Sequence, residues 1–262
     1  MKRNSNEERV MSAMTGRVVL VTGGASGIGL ATARRFAEAQ ATVIIADLEK
    51  AAVTGAASEL AQGKLDVHGM VLDVTREAHW ARIMRQIERR FSRLDVVVNN
   101  AGVGRPGAIV DTSLADWRFV TSVNLDGVFL GVKYGIEALA RHGCGSIVNV
   151  SSIIGTVGTP NNAAYAASKG AVRQLSKVAA LECAAAGNGI RVNSVLPGYV
   201  EMQRKGAKQM SGEKRLALIN ATPMARFATP AEIADAIYYL ASTESSYVTG
   251  TDLIVDGGFT AQ

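Results

Sequence analysis

The chain has 262 residues, enough for one α/β domain with a well-covered core and too few for two comfortable ones. Hydrophobic residues make up 48% and charged residues 19%, a balance that excludes a disordered chain and fits a sheet buried on both faces. The 28 Lys and Arg against 23 Asp and Glu leave a charge of +5, much of it in Arg82, Arg85, Arg89, Arg90 and Arg93. These five carry no interleaved aromatic residues and no binding motif, so they read as a solvated helix face, and no nucleic-acid partner is expected.

Residues 1–14 are polar and without period and read as a mobile extension, leaving a single domain over 15–262. No run approaches the roughly 18 apolar residues of a membrane span, and the first residues contain no apolar stretch of the signal-peptide kind. A cytoplasmic protein without a membrane partner is the expectation. Cys144 and Cys183 stand in neither a disulfide framework nor a ligand spacing, so no metal is expected.

From residue 15 onward, short runs rich in Val and Ile alternate with helix-length segments. The runs lie at 17–22, 42–46, 67–72, 95–99, 146–150, 191–196 and 253–255. Seven buried strands joined by helical crossovers predict an α/β fold, a Rossmann-type doubly wound parallel sheet flanked by helices. Ligands of such sheets bind beyond the carboxyl ends of the strands, so functional residues should follow strands. The least regular stretch, 199–223, reads equally as a lid over the site or as a surface helix.

After the first run comes Gly23-Gly24-Ala25-Ser26-Gly27-Ile28-Gly29, then a helical pattern over 30–38. Glycines there permit a tight turn and close approach of backbone to a pyrophosphate, and the helix start offers free N–H groups. Asp47 closes the second run, 18 residues beyond Gly29, where a carboxylate would bond adenosine ribose hydroxyls and repel a 2′-phosphate. No cation stands at Ser26 or Leu48 to hold such a phosphate, so NAD is expected rather than NADP. The alternative for Asp47 is a cap for the helix beginning near Glu49.

Tyr165 and Lys169 lie four apart in an Ala-rich segment that should be helical, and so project from one face. A neighbouring ammonium stabilises the phenolate, so Tyr165 could exchange a proton with a substrate oxygen near neutral pH. Ser151 and Ser152 close the fifth run and present a hydroxyl where ligands bind.

With these residues in view, the chain resembles the short-chain dehydrogenase/reductase family from about Gly16 to Phe259. The matching motifs are Thr22-Gly23-xxx-Gly27-x-Gly29, Asp73-Val74, Asn99-Asn100-Ala101-Gly102, Asn124, Ser152 lying 13 residues before Tyr165, Tyr165-xxx-Lys169, Pro197-Gly198 and Asp256-Gly257-Gly258. The resemblance implies that Ser152 polarises the substrate oxygen, Tyr165 is the acid/base, Lys169 also holds the nicotinamide ribose, and Asn124 holds a relay water. It implies further that Asp73 and Val74 flank the adenine and that Asn100, Ala101 and Gly102 pass the ribose. Gly23, Ser26, Gly27, Ile28 and Gly29 would line the dinucleotide, and Pro197, Gly198 and Val200 would run beside the nicotinamide.

One departure stands out. The family often carries Thr in Pro-Gly-x-Val-x-Thr, to meet the nicotinamide carboxamide, but this segment reads Pro197-Gly198-Tyr199-Val200-Glu201-Met202. A thioether cannot donate a hydrogen bond.

The resemblance also places Ile153, Ile154, Pro160, Asn161, Asn162, Tyr199 and Met202 around the substrate, with Ser152 and Tyr165 at its oxygen. That wall is mostly apolar, and the expected substrate is a small secondary alcohol or ketone. A competing substrate is a 3-oxoacyl thioester on acyl carrier protein, reduced with NADP. Leu130 after Phe129 and an Arg-free 184–188 speak against it, while Arg204, Lys205 and Lys208 leave it open. A second class of reading is a silent NAD-binding regulatory protein, which would have no need of Asn124, Ser152, Tyr165 and Lys169 together. A homotetramer is implied, built on the helices around Asn124 and Tyr165 and on the C-terminal strand.

Overall fold

In the computed structural model, residues 14–202 and 211–262 are described. Seven strands form one parallel sheet: β1 (Val18–Thr22), β2 (Thr42–Asp47), β3 (Val67–Val71), β4 (Val96–Asn99), β5 (Gly145–Val150), β6 (Ile190–Pro197) and β7 (Asp252–Val255). Their order is β3-β2-β1-β4-β5-β6-β7, so the chain winds outward in both directions from the β1–β4 boundary. This is the Rossmann-type sheet that the alternating pattern predicts, in one domain.

The helices are α1 (Gly27–Glu38), α2 (Lys50–Gln62), α3 (Glu77–Phe91), α4 (Leu114–Thr121), α5 (Gly127–Ala140), α6 (Ala163–Ala185), α7 (Gly212–Asn220) and α8 (Pro230–Ala241). None among the described residues is long and apolar enough to cross a membrane.

Strand side chains alternate between two cores. On one face Val19, Val21, Val43, Ile45, Val96 and Val98 pack with Phe36 of α1 and Ile233 and Ile237 of α8. On the other, Leu20, Ile44, Val97 and Ile147 meet Trp80, Ile83 and Ile87 of α3 and Val172 of α6. Residues at both parities are apolar in the central strands because both faces are covered. At the edge the rule relaxes: β3 buries Val67 but exposes Val71.

The structure differs from the sequence pattern at two boundaries, and at a third it takes one of the two readings offered. Met14 is buried against the first core, and its carbonyl accepts from Arg17 N–H at 3.0 Å, so the ordered chain starts before Thr15. The rest of the proposed extension lies outside the described residues. Helix α1 begins at Gly27, so Gly27 and Gly29 belong to its first turn. Finally, α7 occupies part of 199–223 as a surface helix without a buried residue, while Arg204, Lys205 and Lys208 fall outside the described residues.

Candidate active site

The glycine-rich turn leaves β1 at its carboxyl end and enters α1 beside the β1–β4 boundary. Gly23 has φ +61° and Gly27 φ +54°, a left-handed backbone that L side chains rarely adopt. A β-carbon on Gly23 would lie 2.8 Å from Ala101 Cα, so the turn after β4 can approach only because Gly23 is bare. Thr22 ties the two turns together: its hydroxyl oxygen accepts from the N–H groups of Asn100 and Ala101 at 3.0 and 3.1 Å. Asn100 Nδ2 donates in return to the Thr22 and Gly23 carbonyls.

Ser26 precedes α1 but makes no side-chain cap bond to it, and the helix has no acidic residue in its first turn. Neither its N-cap side chain nor an acidic residue of its first turn therefore offsets the first N–H groups and the positive dipole end, which favours an anion there. Asp47 stands next to this turn. Its Oδ2 accepts from Ala25 N–H at 3.2 Å and its Oδ1 from Leu48 N–H at 2.8 Å, while Glu49 takes the N-cap position of α2. A glycine cradle, an uncapped helix start and a carboxylate at the end of β2 together fit the diphosphate and ribose of a dinucleotide.

Asp73 caps its own loop, with Oδ1 accepting from Thr75 N–H and Oγ1–H at 3.0 and 2.7 Å. Val74 is buried. Its carbonyl accepts from Trp80 Nε1, and its side chain fills the space above Gly127.

Lys169 lies on α6 with 3% of its surface exposed, and its Nζ donates to the Val150 carbonyl at 2.7 Å. Burial lowers its pKa from the ordinary 10.5 to about 8. The ammonium lies 5.7 Å from the centre of the Tyr165 ring. A β-carbon on Gly104 would touch that ring at 3.8 Å, and one on Gly102 would come 3.5 Å from Lys169 Nζ. The turn after β4 thus passes over both side chains. Gly155 brings α6 this close to the end of β5, since its β-carbon would lie 2.7 Å from the Lys169 carbonyl carbon.

Ser152 is buried just past β5. Its Oγ accepts from Ile154 N–H at 3.2 Å, so its one proton is directed away from that bond. Asn124 is fully buried in a π turn, Ser122–Asp126, between α4 and α5. Its Oδ1 accepts from Val103 N–H at 2.8 Å, and its Nδ2 donates to the Val103 carbonyl at 2.9 Å and to Ser168 Oγ at 3.2 Å. Ser168 Oγ in turn donates to the Tyr165 carbonyl, and Ser151 Oγ to that of Lys169. Ser151, expected with Ser152 to offer a hydroxyl to ligands, spends it on the Lys169 carbonyl instead, while Thr22, Val103 and Ser168 were not singled out for a role by sequence reasoning. Only the position of Thr22 in its glycine motif offered a signal.

Of the proposed wall, Ile154 is half-buried beside Ser152. Asn162 turns its Nδ2 to the Pro160 carbonyl at 3.0 Å, while the backbone around it bridges to Gly107. Tyr199 packs on Phe227 and Phe259, with ring centres 5.8 and 5.4 Å away. Pro197 ends β6, and a β-carbon on Gly198 would lie 2.7 Å from Asp256 Cα. Val200 bridges to Ala228.

A dinucleotide-type sheet with a cation and a phenol on one helix face at its carboxyl edge defines a coenzyme-dependent oxidoreductase. Residues 12–260 match the family model described as enoyl-(acyl carrier protein) reductase. The chain is 43% identical over 255 residues to an NADP-dependent (R)-specific alcohol dehydrogenase of Lentilactobacillus kefiri, covering 95% of this chain and 98% of that one. It is 40% identical over 251 residues to a cyclopentanol dehydrogenase of a Comamonas species, covering 96% and 100%. The crystal structure of gox2181 superposes with a TM-score of 0.91 at 34% identity, covering 97% of this chain and 99% of that one. The chain belongs to the short-chain dehydrogenase/reductase family, and is an oxidoreductase of the alcohol/ketone type that uses a nicotinamide coenzyme.

Proposed function

We propose that this chain is an NAD-dependent dehydrogenase/reductase that interconverts a small, largely apolar secondary alcohol and its ketone, with Tyr165 exchanging the proton. The observation that carries this reading is the buried Lys169 ammonium 5.7 Å from the centre of the Tyr165 ring, with a Ser152 hydroxyl past the end of β5 that accepts from Ile154 N–H and keeps its proton to donate.

The coenzyme, when bound, supplies or takes the hydride. In the direction of reduction, the Tyr165 hydroxyl gives its proton to the carbonyl oxygen, and the resulting phenolate is stabilised by the Lys169 charge. Ser152 donates a hydrogen bond to the same oxygen as negative charge develops on it. Lys169 keeps two N–H donors beyond the one given to Val150, enough to hold a ribose hydroxyl. The Asn124 amide, which the resemblance gives to a relay water, is taken up by Val103 and Ser168, so it steadies the turn over Lys169.

The reading of NAD rests on Asp47, since a carboxylate there favours ribose hydroxyls and repels a 2′-phosphate. The Lentilactobacillus relative is named for NADP, which makes this the point on which the two proteins are expected to differ. That relative and the cyclopentanol dehydrogenase support an uncharged alcohol as the substrate class. Exposed apolar side chains at Phe129 of α5, Val178 and Leu181 of α6 and Ile254 of β7 support a homotetramer through those elements. A monomer by light scattering would overturn that part.

The test is a panel of linear and cyclic secondary alcohols, a charged hydroxy acid and a 3-oxoacyl thioester, followed by nicotinamide absorbance with NAD and NADP. Turnover of the uncharged alcohols with NAD is expected. Turnover confined to the thioester with NADP would establish the carrier-protein reading, and binding without any turnover a regulatory role.

A further inference from the structure

We propose that Met202 determines coenzyme affinity by covering the glycine cradle, so that a diphosphate binds only after the thioether has moved aside. This rests on the dinucleotide reading of that cradle.

A β-carbon built on Gly27 would lie 2.5 Å from the Met202 ε-methyl and 3.2 Å from its sulfur. The methyl therefore occupies the space that the missing side chain of Gly27 leaves open, at the first turn of α1. A thioether donates no hydrogen bond and accepts weakly, so it does nothing for the unsatisfied N–H groups beneath it. It simply keeps that space filled.

The root of this side chain is held from behind. Glu201 N–H donates to the Ala228 carbonyl at 2.8 Å, and Ala228 N–H to that of Tyr199 at 2.9 Å. The Glu201 carboxylate is ion-paired with Arg215 of α7, and the Tyr199 ring packs on Phe227 and Phe259. Met202 itself is 39% exposed, with three rotatable bonds beyond a backbone fixed on its outer side. Displacement is thus a rotamer change of one side chain, and its cost falls on ligands that place a phosphate over Gly27.

A site competent in only a fraction of molecules binds proportionally more weakly, so removing the cover should tighten diphosphate ligands about three- to tenfold. The experiment measures dissociation constants of the full chain for NADH, ADP-ribose and adenosine, in the wild type and in Met202→Ala, Met202→Thr and Met202→Leu. NADH and ADP-ribose should bind more tightly to the Ala and Thr variants, with adenosine unchanged and Met202→Leu, which keeps the apolar bulk, close to the wild type. Unchanged or weaker NADH and ADP-ribose binding in Met202→Ala overturns the proposal, and so does an equal gain for adenosine. A wild-type chain that binds none of the three overturns the coenzyme reading itself, and this proposal with it.

Discussion

The Lys169 ammonium sits 5.7 Å from the centre of the Tyr165 ring, on the same face of α6, and only 3% of Lys169 is exposed. Its pKa of about 8, set by burial, means that folding carries a cation out of water at neutral pH. Below pH 8 both folded and unfolded chains hold the proton, and the burial penalty is fully present. Between pH 8 and the ordinary 10.5 the folded chain releases the proton first, so stability rises with pH across that window. Lys169→Met removes this dependence. The stability of Lys169→Met relative to the wild type, from urea unfolding, should therefore fall by ~3 kcal/mol between neutral pH and pH 11. A difference independent of pH would contradict the burial account.

Asp47 accepts from the glycine-rich turn through Ala25 N–H, and in the proposed reading it also meets the adenosine ribose. If the carboxylate served only the turn, its loss would weaken both coenzymes together. Asp47→Ala is expected instead to lower kcat/KM with NAD by about 10- to 100-fold, the worth of hydrogen bonds to a charged group, and to leave NADP largely unaffected. Parallel losses with NAD and NADP would reduce Asp47 to a structural residue.

Gly131 of α5 packs directly on the amide of Asn99 at the end of β4. A β-carbon there would lie 2.7 Å from the amide carbon, while Asn99 Nδ2 is held by Asn149 Oδ1 at 2.8 Å. Alanine gains about 1 kcal/mol over glycine in a helix interior. The overlap should outweigh this gain, because α5 and β4 must separate in a closely packed core. Gly131→Ala is expected to lose about 2 kcal/mol net and several degrees in Tm. A raised Tm would show that the helix can shift freely.

Much of this arrangement was legible in the residues. The central strands are unbroken Val and Ile runs, and such runs mark a sheet covered on both faces. The turns after β1 and β4 and the Tyr165–Lys169 pair follow strands or share one helix face, which local spacing reveals. What escaped depends on partners distant in the chain. The π turn around Asn124 leaves no mark in hydrophobic periodicity, and its effect is to aim one amide at Val103. Ser168 has no sequence signal at all, because its role comes from standing between Asn124 and the Tyr165 carbonyl. Met202 was visible as a departure, but the place of its thioether is set by the pairing of Val200 with Ala228, which no local pattern encodes. Asp73 was expected as a coenzyme contact, and its bonds to Thr75, which make it a cap of its own loop, depend on the local fold of that turn.

The most direct measurement compares Tyr165→Phe with the wild type in NADH binding and in single-turnover reduction of a ketone that the wild type accepts. The substitution removes one hydroxyl and keeps the ring beside Lys169. Binding within a factor of about three and a chemical step slowed by about 10²- to 10⁴-fold are expected from the loss of a positioned acid. An unchanged chemical step would mean that the proton comes from another group, and the role given to Tyr165 would be withdrawn.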